Sequence, residues 1–386
     1  MRLMIVGVGP TAAVACRAIL ASSPNWKVDL VEMNQNAGGR FQTSAHNVDT
    51  GAQYLTKSNC AADHIYRQLL NDNVIQKMKA KIRGSRAADA GSENYVAKNG
   101  IATVVKSLLK GANSIKYGTQ CTKLCRRGDK WNVVVNGDQC LPDLYDAVIL
   151  TPPVPQSLKV LEAGEETQQW LCASGVREAL RNVEYSRRFA VSLCFSPSDR
   201  LGVESAFGEW PIRYTSKEGD GKLVYLAFDS AKRCNMGAPK IVAHSSVPYG
   251  IARIPENDTE RVVWDDIKAE LVDSVFKLLP SLPQPTNTLL DVWRISQVRE
   301  PLIQFGSFIE LTPPQVTSNG GLRVESNDVD CLYPPDDLCS SPPSLFLAGD
   351  AFSLGGSRFD SCVESGEAVA AALVRKGKNS VLTSIV

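Results

Sequence analysis

The chain has 386 residues, 44% hydrophobic and 22% charged, with 42 Lys plus Arg against 41 Asp plus Glu and a net charge of +1. That composition excludes disorder, collagen and low-complexity scaffolds, and near-neutrality provides no long-range field for nucleic acid or an anionic membrane surface. The length predicts two domains of roughly 100–200 residues each, and no apolar run of about 18 residues is present to span a membrane.

Residues 2–6 (RLMIV) read as a strand, Gly7-Val8-Gly9-Pro10 as a turn, residues 11–20 as an Ala- and aliphatic-rich helix, and residues 27–32 (KVDLVE) as a second strand ending in an acid. Strand, turn, helix and strand in about 30 residues make a βαβ unit, hence a parallel sheet. Pro10 suits the first helical turn, where its missing N–H costs nothing. The apolar stretch is too short for a signal peptide, lacks an Ala-x-Ala-like cleavage site and is needed for the sheet, so the expected compartment is the cytoplasm.

A loop over residues 34–40 closes with Gly38-Gly39-Arg40, and residues 49–54 read as a turn plus strand. Residues 59–71 have helical spacing, with Ile65, Leu69 and Leu70 on one side, and residues 77–92 show no clear period. Residues 101–110 return to a 3.6-residue period through Ile101, Val104, Val105, Leu108 and Leu109. Short strands follow, among them residues 131–135 and the buried-type run at 146–150, halted by Thr151-Pro152-Pro153. The middle third changes texture, with strands at 189–195, 223–228 and 241–246 and an amphipathic helix at 264–279 stopped by Pro280, Pro283 and Pro285. Residues 289–298 read as a strand returning to the first domain, 311–343 as a long polar loop, 345–350 as a last strand and 360–376 as a last helix. The eleven cysteines are scattered without a CxxC pair, and only three histidines occur, His46, His64 and His244, so no metal site is predicted.

Three segments carry chemistry. In GVGPTA, Gly7 permits a tight turn, Gly9 lets backbone approach a pyrophosphate, and Pro10, Thr11 and Ala12 open a helix whose free N–H groups favour an anion. Glu32, 20 residues past Ala12, can accept bonds from ribose hydroxyls. The plainer alternative is a Gly-rich turn in an ordinary parallel sheet. Gly38-Gly39-Arg40 alone reads as a loop with a solvated Arg, but eight residues after Glu32 it resembles the glycine pair and Arg of two-dinucleotide-binding flavoproteins, whose amides and guanidinium face the flavin side of the pyrophosphate. The third segment, Leu347-Ala348-Gly349-Asp350, offers a carboxylate for a ribityl chain, with small residues Ser361, Gly366 and Ala368 in the following helix to approach the ring. The competing reading of the segment alone is a hairpin turn. Because both ends of the chain enclose one site, the segments point to FAD in preference to NAD.

These motifs, with GGRFQT (38–43), DTGAQYLT (49–56), DAVILTPPVP (146–155), AHSSVPYG (243–250), LPSLPQP (279–285), DVWRISQV (291–298) and RFDSCVESG (358–366), resemble the renalase family. Its members are flavoproteins related to the amine oxidase and p-hydroxybenzoate hydroxylase fold. The matching blocks are spread in order over nearly the whole chain, and the polar loop at 311–343 is longer than the family's usual connection. The resemblance implies an α/β architecture: a Rossmann-like FAD-binding domain with a parallel sheet (1–75, 97–160 and 290–386) and a mostly antiparallel-sheet substrate domain (76–96 and 161–289). It implies noncovalent FAD, since Ser357 in Leu354-Gly355-Gly356-Ser357 stands where a flavin-linking Cys would be.

It further implies that Gln53, Tyr54, Phe359 and Asp360 join the cofactor set. The implied activity is oxidation of the 2- and 6-dihydro isomers of NAD(P) to NAD(P)+, with O2 as acceptor and hydrogen peroxide as product, by a monomer, with secretion admitted by family analogy. Trp293 and Tyr249 would wall the nicotinamide, and His244 and Gln297 would contact it. Core aromatics and a structural histidine are the competing readings. Phe228, Tyr214 and Tyr225 belong to the sheet expected to cover the flavin. Arg187, Arg188, Arg213 and Lys217 either meet substrate phosphates or form a solvated face. Two other functions compete: an amine oxidase acting on catecholamines or polyamines, and a non-enzymatic extracellular signalling ligand.

Overall fold

The computed structural model describes residues 1–58, 60–84, 92–215, 218–255, 264–313 and 342–383. A six-stranded sheet runs in the order Phe308–Leu311, Ser344–Ala348, Ala147–Leu150, Arg2–Val6, Lys27–Val31, Ser114–Lys116, parallel throughout except for its first pair. The central strands Arg2–Val6 and Ala147–Leu150 are buried on both faces, Ala147–Leu150 along its whole length, as covered parallel strands must be. One face carries helices Pro10–Ser22, Ala102–Leu108 and Phe359–Thr383. The other carries a three-stranded antiparallel sheet (Cys121–Arg127, Lys130–Val135, Gln139–Tyr145) and helices Val154–Ala163, Glu165–Ala173 and Arg177–Arg181, packed around Trp131 and Trp170.

A second six-stranded sheet runs Asn287–Trp293, Arg188–Cys194, Lys240–Ser245, Leu223–Phe228, Ile212–Tyr214, Ile82–Arg83, antiparallel except for its last pair. Helices Arg200–Phe207 and Trp264–Leu278 cover one face. A small fourth sheet pairs Leu55–Lys57, Glu93–Ala97 and Ile75–Lys77. Among the described residues no helix is long and apolar enough to cross a membrane, and no group of His, Cys, Asp and Glu could hold a metal.

Several expectations need correction. The strand at Asn287–Trp293 pairs with Arg188–Cys194 at the edge of the antiparallel sheet and does not join the parallel one. The segment at 49–54 is irregular, and its strand begins only at Leu55. In helix Asp63–Asn71 the third inward side chain is Tyr66, and Leu70 is exposed. The expected border at 160 falls inside helix Val154–Ala163, whose buried side chains belong to the core beside the parallel sheet. Most of the polar loop at 311–343, and Lys217, lie outside the described residues.

Candidate active site

Parallel strands end at one edge of their sheet, so the loops after Val6, Val31, Leu150 and Ala348 converge. The strand order reverses at Arg2–Val6, which has Lys27–Val31 on one side and the later Ala147–Leu150 on the other. Open α/β sheets bind ligands at such a switch point. Gly7 adopts φ +87° there, and a Cβ on it would lie 2.8 Å from Thr151 Oγ1. The Gly38 amide donates to the Val8 carbonyl at 2.9 Å, docking the Gly38-Gly39-Arg40 loop on the turn. A Cβ on Gly39 would sit 3.3 Å from Gly9 Cα, yet one on Gly9 would meet nothing within 4 Å. An open cradle thus faces the N-terminus of helix Pro10–Ser22 and fits a pyrophosphate. Glu32 organises the turn: Oε2 accepts from the Val8 amide at 2.9 Å, and Oε1 from the Asn34 amide and Nδ2 at 2.9 and 2.8 Å. Carboxylate oxygens have two acceptor sites each, so capacity for a ribose hydroxyl is left.

Arg40 and Asp350 join the two ends of the chain. Nη1 donates to Oδ2 at 2.8 Å and Nη2 to Oδ1 at 2.5 Å, a bidentate pair. Ser357 Oγ also donates to Asp350 Oδ2, at 2.5 Å, and accepts from the Val298 amide at 2.9 Å. Burial alone would raise the Asp350 pKa, but Arg40 and Ser357 outweigh it and hold the carboxylate below its ordinary value. Cys362, on the adjoining helix, is pushed up to about 12 by burial and stays a thiol, not a nucleophilic thiolate.

The second sheet faces this edge across a cavity of about 670 Å³. Its register puts Tyr214 opposite Tyr225, Tyr225 opposite His244, and His244 opposite Ala190. Two residues before Ala190, Arg188 pairs with Trp293. Side chains alternate along a strand, so these residues share one face, and Tyr214, Tyr225, His244, Arg188 and Trp293 all line the cavity. Trp293 Nε1 donates to the Thr50 carbonyl at 3.0 Å, and the Tyr54 and Tyr214 hydroxyls lie 2.5 Å apart. His244 Nε2 lies 3.3 Å from Gln53 Nε2. Burial first, then the charges of Arg188 and Lys232, push the His244 pKa down to about 3, so the imidazole is neutral.

Of the residues singled out from sequence, Pro10, Arg40, Gln53, Tyr54, His244, Trp293, Gln297, Asp350 and Phe359 line the cavity. Gly7, Gly9, Thr11, Ala12, Glu32, Gly38, Gly39 and Gly349 cluster at the ends of the parallel strands beside it. Others do not reach it. Tyr249 packs on Phe189, on the opposite face of the sheet, and donates to Glu270 Oε2 at 3.0 Å. Asp360 accepts from the Ser58 amide and hydroxyl, both at 2.7 Å, and from the Tyr66 hydroxyl at 2.8 Å, so it fastens its helix to the neighbouring loop. Phe228 is buried in the far-side core. Gly366 serves helix packing: a Cβ there would lie 2.8 Å from the Thr11 carbonyl oxygen. Arg187 donates to the Ile254 carbonyl and Arg213 to those of Phe207 and Ala206.

The ion cluster behind Gln53 has no local signature in the sequence. Lys232 and Asp229 are fully buried, with Asp49 and Arg233 beside them. Two adjacent cations beside an acid in a polar stretch look like a surface turn, and nothing local marks them as interior.

With this geometry in view, comparison defines the class. The chain matches the family described as flavin containing amine oxidoreductase over residues 69–374 and belongs to it. Its cofactor is FAD, noncovalently held. Within that class it is similar to renalase of Mus musculus, at 28% identity over 97% of this chain and 99% of that protein. In fold it is similar to a putative protoporphyrinogen oxidase from Exiguobacterium sp. (TM-score 0.64, 12% identity, 97% and 99% of the two chains). It also resembles putrescine oxidase bound to putrescine (TM-score 0.58, 11% identity, the same coverage).

Proposed function

We propose that the protein oxidises the 2- and 6-dihydro isomers of NAD(P) to NAD(P)+ with O2 as final acceptor and hydrogen peroxide as product. The observation that carries this reading is the charge of the cavity wall. Arg40, Arg83, Arg188 and Arg358 line it against two carboxylates, Asp350 and Glu218. Both carboxylates are paired with lining arginines, Asp350 with Arg40 and Glu218 with Arg83 at 3.0 Å. Excess positive charge in a concave, partly desolvated site attracts an anionic dinucleotide and repels an ammonium substrate.

Bound FAD supplies the hydride acceptor and the route for electrons to O2. The Gly7–Ala12 turn would hold its pyrophosphate, Glu32 its ribose, and Arg40 with Asp350 its flavin half. The remaining task of the chain is orientation, because loss of hydride from a dihydropyridine is driven by rearomatisation and needs the donor carbon positioned, with no base to remove a proton. Trp293, tethered to Thr50, and the linked Tyr54 and Tyr214 hydroxyls provide rigid walls for a planar ring and exclude water. Gln297 lies at the same wall and would contact the carboxamide. The neutral His244 suits the step, since the product ring is cationic.

The aromatic walls also favour a second reading, oxidation of an amine bound in its uncharged form. Anaerobic mixing separates the two. The holoenzyme is expected to bleach with 2- or 6-dihydro-NAD and to stay yellow with catecholamines and polyamines. Bleaching by amines alone would replace the first reading with the second.

A further inference from the structure

Lys232 lies at the end of the short helix Asp229–Lys232, with no exposed surface. Its Nζ is 2.8 Å from Asp229 Oδ1, 3.7 Å from Asp49 Oδ2 and 3.0 Å from Gln53 Oε1. Arg233 Nη2 pairs with the other Asp229 oxygen, so two cations and two carboxylates form a buried quartet without net charge. Asp49 is rooted in turn by the Ile101 amide at 2.8 Å and the Thr43 hydroxyl at 2.9 Å. Gln53 is the one member of this assembly that also lines the cavity.

Donor and acceptor chemistry then propagates outward. An ammonium has three N–H groups and no acceptor, so the Gln53 atom facing Lys232 must be the carbonyl oxygen. The other end of the amide is therefore NH2, and its surroundings agree: the Asp49 and Gly51 carbonyls accept from it at 2.5 and 3.1 Å. That NH2 faces His244 Nε2 at 3.3 Å. Both hydrogens of that NH2 are directed at the two carbonyls, so Nε2 meets a nitrogen that has no lone pair to offer: a proton on Nε2 would find no acceptor there, whereas a bare Nε2 lies against the positive edge of the NH2, which places the ring proton on Nδ1.

We propose that Lys232 is a positioning residue of the site: its ammonium fixes the Gln53 amide, and that amide fixes His244 as the neutral Nδ1–H tautomer at the cavity wall. The Thr50 carbonyl, three residues before Gln53, accepts from Trp293 Nε1, so one loop meets two walls of the cavity. The device keeps an uncharged, immobile imidazole beside a ring that becomes cationic, while the lysine charge behind it is matched by carboxylates. Its catalytic consequence rests on the oxidase reading above. The tautomer assignment does not.

The test begins with the wild-type holoenzyme labelled with 15N-histidine and no substrate. The His244 signals are identified by their loss in His244→Asn. One tautomer is expected, with a bare Nε2 and a protonated Nδ1, and a protonated Nε2 overturns the proposal without any variant having to fold. Gln53→Met leaves the ion quartet intact, and Lys232→Met removes the anchor. Both are expected to give mixed tautomers and to slow flavin bleaching at saturating dihydro-NAD by roughly tenfold or more, the effect of a misoriented wall on hydride transfer. A single unchanged tautomer in Gln53→Met overturns the proposal even if Lys232→Met does not fold. A correct tautomer in a protein that no dihydronicotinamide reduces would leave Lys232 its role and remove the oxidase reading alone.

Discussion

At Gly9 the backbone is extended, with φ −94° and ψ −174°, a region that a β-branched residue occupies readily. A Cβ there meets no protein atom within 4 Å. Gly9→Val should therefore fold and melt like the flavin-free wild type, yet carry almost no FAD, because the side chain enters the pyrophosphate space. Full flavin absorbance in purified Gly9→Val would refute the placement of the cofactor. His244 gives a second prediction. Its pKa is about 3 in the folded chain against roughly 6.5 in a free histidine. Between those values the unfolded chain binds a proton that the folded one does not. The stability due to the neutral ring is complete above about pH 6.5 and is lost as pH falls toward 3, by up to about 1.4 kcal/mol per pH unit. Urea unfolding at pH 7 and pH 5 should show wild type losing about 2 kcal/mol more than His244→Asn. Equal losses would mean that the ring takes up its proton in the folded state.

Among the elements, the first and last helices, Pro10–Ser22 and Phe359–Thr383, pack directly against each other. Gly366 permits it: a Cβ would fall 2.8 Å from the Thr11 carbonyl oxygen and 3.0 Å from Val14 Cβ. Gly366→Leu should destabilise by about 1–3 kcal/mol, the usual effect of overpacking, visible as a lower Tm. An unchanged Tm would show that the helices can separate without loss. Local pattern sufficed for many elements, because periodicity reports which side chains are turned inward. The strand Leu223–Phe228 and the helix Trp264–Leu278 appear within a residue of their expected bounds. Helix Val154–Ala163 is not among the expected elements although its buried Val154, Ser157, Leu158 and Leu161 keep helical spacing, because Pro152 and Pro153 also end the preceding strand. Proline is also at home in a first helical turn. The strand Asn287–Trp293 was assigned to the wrong sheet, since an apolar run does not name its hydrogen-bonding partner.

Over the whole molecule, one ion pair links residues 310 positions apart. Asp350 is nearly fully buried and Arg40 partly so. Arg40→Met leaves a buried carboxylate without its cation, supported by Ser357 and its own backbone amide, and should lower stability by about 3–5 kcal/mol. Adding Asp350→Asn should restore much of that loss in a thermal melt, because a neutral amide tolerates burial without a cation. No recovery in the double variant would show that the arginine acts through packing instead. By itself the sequence determined the βαβ start, the glycine turns, the acid at Glu32 and the returning Gly349-Asp350, all of which depend on short-range spacing and backbone freedom. Tertiary structure alone decided which face of the second sheet turns toward the cavity, that Tyr249 and Asp360 point elsewhere, and that Lys232 is buried behind Gln53. The physical reason is that strand register and the pairing of buried charges are set by partners far away in the chain, and local periodicity carries no record of them.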